Sequence, residues 1–99
     1  MLTFTSRNAP ASHLILQNAL RVPVAVTLEL QPTFLGGEIG LRCATSLRVN
    51  LRDDTSRPAY VVVQVGPAKS EHDSLWLDLP HGIHGLGVSV CSVTPIPIP

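Results

Sequence analysis

The residues most suited to chemistry are histidines and acids between positions 71 and 84. His72 lies between two acids, and Asp78 precedes the pair His81 and His84 in a glycine-containing stretch. Imidazole and carboxylate groups are the ligands that Zn, Ni and non-haem Fe prefer, and a cupin-like barrel can gather them from neighbouring strands. A small metal-dependent β-barrel enzyme using His72, His81 and His84 is therefore the alternative functional hypothesis. Two histidines three apart in a turn need not converge, so no metal ligand is assigned.

Three other groups offer weaker chemistry. Residues 66–70 follow a valine-rich segment as a phosphate loop would, but alanine precedes the lysine and no helix is predicted after it. The aspartates within 52–58 are adjacent and flanked by arginines, which indicates an ion-pair turn rather than a calcium loop. Cys43 is expected to face inward, and Cys91 has no identifiable base partner. We therefore expect no catalytic residue, no cofactor and no enzymatic activity.

The elements that would position these residues are predicted by alternation of apolar and polar residues. In 20–30 every even position is Leu or Val, which indicates a half-buried strand. Pro23 removes a ladder donor, so the first half of this strand is predicted to lie at a sheet edge. Residues 39–51 turn their odd positions inward and predict a bent strand, or two strands broken near 44–46. Residues 59–65 are nearly apolar on both faces, which favours a central strand.

Further short strands are predicted at 74–79, 86–93 and 2–5, and a strand is preferred over a helical turn at 13–17. Loops rich in glycine, proline and aspartate separate them. Six or seven strands without a helix predict an all-β fold, a small antiparallel β-sandwich or barrel with extended N- and C-terminal arms. Residues 1–93 would form a single β domain, with 1–12 as a candidate N-terminal arm.

The chain ends in a segment of alternating proline and isoleucine, which we call the C-terminal arm (residues 94–99). Proline fixes φ in the extended region and biases the preceding residue in the same way. The N–H groups of Ile96 and Ile98 would point to one side, whereas the prolines offer no donor on the other. The arm is therefore predicted to pair with one sheet edge without recruiting a further strand.

Two aromatic residues, Tyr60 and Trp76, lie at even positions of strands whose inward residues are at odd positions. In this sense their parity predicts that they face outward. Unless twist or a bulge turns them inward, they face solvent, a partner or a second layer. Large amphipathic aromatic side chains outside a core often anchor interfaces. The predicted partner-binding residues are Pro95, Ile96, Pro97, Ile98, Pro99, Tyr60 and Trp76.

Composition points to association rather than to nucleic acid or membrane. Of the 99 residues 44% are hydrophobic and only 14% are charged, and seven basic residues balance seven acidic ones. No basic cluster marks a polyanion-binding surface, and a sparsely charged surface favours association. The first residues lack the features of a signal peptide, and no apolar run reaches membrane-spanning length. We therefore expect synthesis in the cytoplasm, with neither a nucleic acid nor a membrane as partner.

Small β domains with extended arms are the kind of subunit that builds symmetric particles. The leading hypothesis is a non-enzymatic structural assembly protein, a capsid decoration or minor virion protein of a bacterial virus, which would dock to its neighbours through the C-terminal arm. Its partners would be itself, a major capsid protein or another particle subunit, and its final location would be the virion. This last step rests on class-level analogy. The third hypothesis is a monomeric intracellular adaptor domain.

Overall fold

The chain folds into strands that pair over long sequence distances. The structure, a computed structural model, describes residues 2–32, 37–51 and 58–97. The strands are β1 (Leu2–Ser6), β2 (Ala11–Gln17), β3 (Val24–Pro32), β4 (Gly37–Arg42), β5 (Ser46–Leu51), β6 (Ala59–Val65), β7 (Ser74–Leu79) and β8 (Ile83–Pro95). Within the described ranges there is no helix, and hence none with the length and apolarity needed to cross a membrane.

The strands form two antiparallel sheets of four. Sheet A has the order β1-β8-β3-β6, and sheet B has the order β2-β7-β4-β5. The fold is therefore the predicted all-β sandwich, with eight strands instead of six or seven. The segment 39–51 forms two strands, β4 and β5, whose connecting bend at 43–45 lies where the sequence predicted a break.

The core lies between the sheets and follows the predicted alternation. Positions 24, 26, 28 and 30 of β3 are fully buried, because each side chain in an extended strand points opposite to its neighbours. Sheet B contributes positions 39 and 41 of β4 and the odd positions of β7. The fully buried side chains of the core include Val24, Val26, Leu28, Leu30, Ile39, Leu41, Leu75 and Leu77.

Two predicted strand positions were wrong. The segment 20–30 was expected at an edge because of Pro23, but β3 is central and pairs with both β6 and β8. Its ladder begins at Val24, one residue after the proline, so the missing N–H removes no bond within the strand. Conversely β6, expected to be central, lies at the edge of sheet A. Its apolar outer face is exposed instead of being covered.

The candidate N-terminal arm, residues 1–12, contains β1 and the first two residues of β2 in its described part. β1 pairs with β8, with Leu2 opposite Val88 and Ser6 opposite Ile83. Ser6 is buried, its Oγ donates to the carbonyl of Pro80, and its own carbonyl accepts the N–H of Gly82 at 2.8 Å. These contacts hold β1 against the β7–β8 turn, and residues 7–10 link β1 to β2.

A buried amide joins the loops at one end of the sandwich. The side-chain Nδ2 of Asn18 donates to the carbonyls of Val22 and Gly66, each at 2.9 Å. Its Oδ1 accepts the N–H of Leu20 at 2.9 Å, and its backbone N–H donates to the carbonyl of Asp73 at 2.7 Å. Asn18 therefore ties the β2–β3 connection to the loop that links β6 and β7.

Candidate interaction surfaces

The histidines singled out in the sequence do not form a cluster. His72 lies in the loop before β7 and His81 in the turn after it, so the length of β7 separates them by more than about 15 Å at about 3.3 Å per residue. His81 and His84 are exposed, and Gly82 between them has a φ of 97°. In the described ranges no three His, Cys, Asp or Glu residues are arranged to hold a metal ion.

The two cysteines lie in different sheets. Cys43 follows β4 and is buried, as its parity predicted. Cys91 is exposed and lies at a register shift in β8, where one additional residue enters the strand opposite Thr27 and Leu28. Both are free thiols, and the fold holds them apart.

The first part of the C-terminal arm continues β8. Pro95 pairs with Val24 of β3, and the N–H of Ile96 donates to the carbonyl of Pro23 at 2.8 Å. Ile96 is half-buried. The one-sided hydrogen bonding predicted for the arm is therefore present at Ile96, where it joins the arm to β3 of its own domain.

The rest of the arm extends beyond this contact. Pro97 is exposed, whereas Ile98 and Pro99 lie outside the described residues. On its other side, the described pairing of β8 with β1 ends at Val88 opposite Leu2, and no described strand pairs with that side of 89–95. Since Pro95 and Pro97 share the side turned away from β3, this edge lacks N–H donors along the arm.

A polar network covers the outer face of sheet B. The register places Arg42 opposite Trp76 and Gly40 opposite Asp78. The Arg42 Nε is 3.1 Å from Asp78 Oδ2, and Ser12 Oγ donates to Asp78 Oδ1 at 2.6 Å. The Arg42 guanidinium lies 5.5 Å from the centroid of the Trp76 ring. Trp76 thus faces outward, as its parity predicted, but it is half-buried beside an arginine.

Electrostatics makes this network a poor candidate for acid–base catalysis. The hydrogen bond from Arg42 lowers the pKa of Asp78, with partial burial opposing and Ser12 assisting, and the same bond raises the pKa of Arg42. Asp78 therefore remains ionised near neutral pH, and both of its carboxylate oxygens accept hydrogen bonds from Arg42 or Ser12. Arg48 and Glu38 form a second pair at 3.0 Å. Charges on this face are matched to one another.

Shallow grooves flank the network on both sides. One of about 330 Å³ lies over Gly40, where the missing side chain leaves a gap beside Asp78 and Arg48. Another of about 380 Å³ lies between Trp76 and the loop containing His72. Charges of both signs line each groove. The second groove also contains Cys43 and His72, but no three His, Cys, Asp or Glu residues of the described ranges are arranged there to hold a metal ion.

The outer edge of sheet A has a different character. Tyr60 is 63% exposed and Val62 67% exposed, and Gln64 between them and the next loop is also exposed. β6 contains no charged residue and no proline. Tyr60 was predicted from its parity. Val62 was missed, although the apolar composition of both faces of β6 was the signal for it.

The backbone of β6 also has free hydrogen-bonding groups. The N–H of Ile96 donates to the carbonyl of Pro23, so the backbone groups of Pro23 and of every second residue after it point toward β8. The backbone groups of Val24 and of every second residue after it therefore point toward β6. The odd residues of β6 therefore bond to β3. The N–H and C=O groups of Tyr60, Val62 and Gln64 point to the opposite side, where no described strand pairs with them.

The predicted partner-binding residues thus lie on separate surfaces. Tyr60 belongs to the edge of sheet A, Trp76 to the outer face of sheet B, and Pro95 to Pro97 to the end of β8. Among the described residues, Tyr60 and Val62 are the most exposed pair of large apolar side chains on a strand edge without a register shift, a proline or a charge. No protein-family model matches this chain, and neither the curated proteins nor the solved structures compared with it proved similar.

Proposed function

We propose that this protein is a non-enzymatic structural subunit that assembles with other protein subunits through the free edge of β6. The observation that supports the proposal is the coincidence of free backbone groups with the exposed side chains of Tyr60 and Val62. A strand edge of this kind is a template for adding a further strand, with backbone bonds providing affinity and side chains providing selectivity.

The other strand edges support this choice because each carries a feature that discourages pairing. β1 and β2 both have register shifts, between Phe4 and Ser6 and between Leu14 and Leu16. The open half of β8 has prolines, and β5 carries the exposed charge of Arg48. Bulges, prolines and charges are the usual means by which monomeric sheets avoid edge contacts. β6 has none of them.

The particle class of the subunit follows by analogy. A small all-β domain with balanced charge suits a capsid decoration or minor virion protein of a bacterial virus, made in the cytoplasm and bound to itself, to a major capsid protein or to another particle subunit. Hydrophobic edge pairing, and not the C-terminal arm alone, would then mediate docking.

Sedimentation velocity of the full chain over a wide concentration range tests the proposal. We expect the wild type to self-associate and the double variant Tyr60→Thr/Val62→Thr to remain monomeric, because threonine keeps the strand propensity while removing the apolar contact. Leu14→Thr, which changes a 49% exposed residue of sheet B, is the matched control and should behave as wild type. A Tyr60→Thr/Val62→Thr variant that associates as strongly as the wild type would overturn the proposal, because the edge of β6 would then not be the contact.

A further inference from the structure

We infer that the strand received by β6 is β6 of a second copy of this chain, running antiparallel about a two-fold axis at Val62. The inference rests on the proposed function and names its partner and register. It would join two copies of sheet A into one continuous sheet.

The free groups of β6 favour one register. With the axis at Val62, Tyr60 of each copy lies opposite Gln64 of the other, and Val62 lies opposite its own copy. Each of these residues turns both N–H and C=O outward, so every free donor and acceptor among them finds a partner.

Two neighbouring registers also keep the outward backbone groups of the two copies facing each other, but each of them loses hydrogen bonds. Moving the axis to Val61 places Gln64 opposite Pro58, which has no N–H to donate. Moving the axis to Val63 places Tyr60 opposite Gly66, whose N–H already donates to the carbonyl of His72 at 2.7 Å. Moving the axis by half a residue would place the outward N–H and C=O groups of one copy opposite residues whose own groups point inward, toward β3. The Val62 register is therefore the one that uses the whole edge.

The side chains support the same arrangement. Tyr60, Val62 and Gln64 share the outer face, so the axis places the two Val62 side chains side by side, with each Tyr60 on a diagonal to the Val62 of the other copy. Two exposed apolar pairs thereby become one contiguous patch. Aromatic and β-branched side chains are favourable partners across strands.

The charge of β6 and of the whole chain also permits a second copy of this chain as the partner. A two-fold axis places the residues of β6 near the axis close to the same residues of the second copy. A charge at such a position would therefore meet a like charge. β6 has no charged residue, and seven acidic residues balance seven basic ones in the whole chain. Neither the edge nor the net charge opposes pairing of two identical chains.

Disulfide trapping of the full-length chain tests the register. In a Cys91→Ser background, which removes the exposed thiol and leaves buried Cys43, Val62→Cys should form a cross-linked dimer under mild oxidation. Opposite residues of a hydrogen-bonded pair are about 5.5 Å apart at Cα, within the range that a disulfide spans. Gln64→Cys alone should not cross-link, whereas a mixture of Tyr60→Cys and Gln64→Cys chains should.

Sedimentation of the same samples separates the two proposals. Association of the wild type, together with cross-linking at Val62 and in the mixed pair, supports the β6 dimer. Association without these cross-links, or cross-linking by Gln64→Cys alone, overturns the dimer in this register. Absence of association in the wild type also overturns the dimer, whereas association of Tyr60→Thr/Val62→Thr as strong as that of the wild type overturns docking through the β6 edge as well. We also expect Val62→Lys to weaken dimerisation by about tenfold or more, because it places like charges on the axis.

Discussion

Asn18 shows how a single side chain determines the geometry of a loop. Its amide is 5% exposed and satisfies the carbonyls of Val22 and Gly66 and the N–H of Leu20. Its carboxamide thus provides donors and an acceptor to three backbone groups, of which the bond to Gly66 is fully buried and the other two are partly buried. Buried polar groups without a partner are costly, so this residue fixes the packing of two loops far apart in sequence.

Replacing this amide should destabilise the fold. We expect Asn18→Ala to lower the free energy of unfolding by about 2–3 kcal/mol, since it leaves buried backbone groups unpaired. Urea unfolding followed by circular dichroism measures the loss. Asn8→Ala, which changes an exposed asparagine, is the control and should be close to neutral. Equal effects of the two substitutions would show that the Asn18 bonds contribute nothing to stability.

Asp78 gives stability a pH dependence of known sign. Arg42 lowers its pKa in the folded protein, so its contribution is present above the pKa of the unfolded chain, near about 4, and is lost as pH falls through the lower folded value. Asp78→Asn should therefore lower Tm by at most a few degrees at neutral pH, because the pair is largely exposed.

The difference between Asp78→Asn and wild type should shrink as the solution is acidified. Thermal unfolding from neutral pH to below pH 4 measures it, and Glu71→Gln, which changes an exposed acid, is the control. A difference that grew toward low pH would have the wrong sign for a carboxylate stabilised by Arg42.

At the scale of elements, the sequence and the structure assign different contacts to the C-terminal arm. In the leading hypothesis from the sequence the arm docks on a neighbour, so that deleting it would weaken assembly while leaving the monomer folded. In the structure Pro95 lies beside Val24, and Ile96 bonds to Pro23 within the same domain. The arm therefore contributes to the stability of the domain itself.

Deleting residues 95–99 should lower the free energy of unfolding by about 1–2 kcal/mol, from one backbone hydrogen bond and the partial burial of Ile96. Chemical denaturation measures this change. Pro97→Ala, at an exposed position, is the control. Unchanged stability accompanied by loss of association would favour docking of the arm on a second subunit.

Strands and their buried faces could be predicted because the signal is local. In β3 and β7 a period of two in the sequence directly gives the side that faces the core. The order of the strands in each sheet could not be predicted, because it depends on pairing between segments that are distant in sequence. Pro23 suggested an edge for β3, and only the pairing with β8 shows that the ladder begins after it.

The candidate surfaces followed the same division between local and distant information. The outward direction of Tyr60 and Trp76 could be predicted from parity. The pairing of Arg42 with Asp78 could not, because the register between β4 and β7 brings them together from 36 positions apart. The free edge of β6 is likewise a property of the whole sheet, since any strand is an edge only by the absence of a neighbour.

For the whole molecule, the position of β8 has a consequence during synthesis. β1 and one side of β3 both take β8 as their partner, and β8 is synthesised after both of them. On the ribosome, sheet A cannot be completed until β8 has emerged. Until then β1 has no partner in its sheet, and the nascent chain exposes an apolar edge that a chaperone, or another nascent copy, could contact.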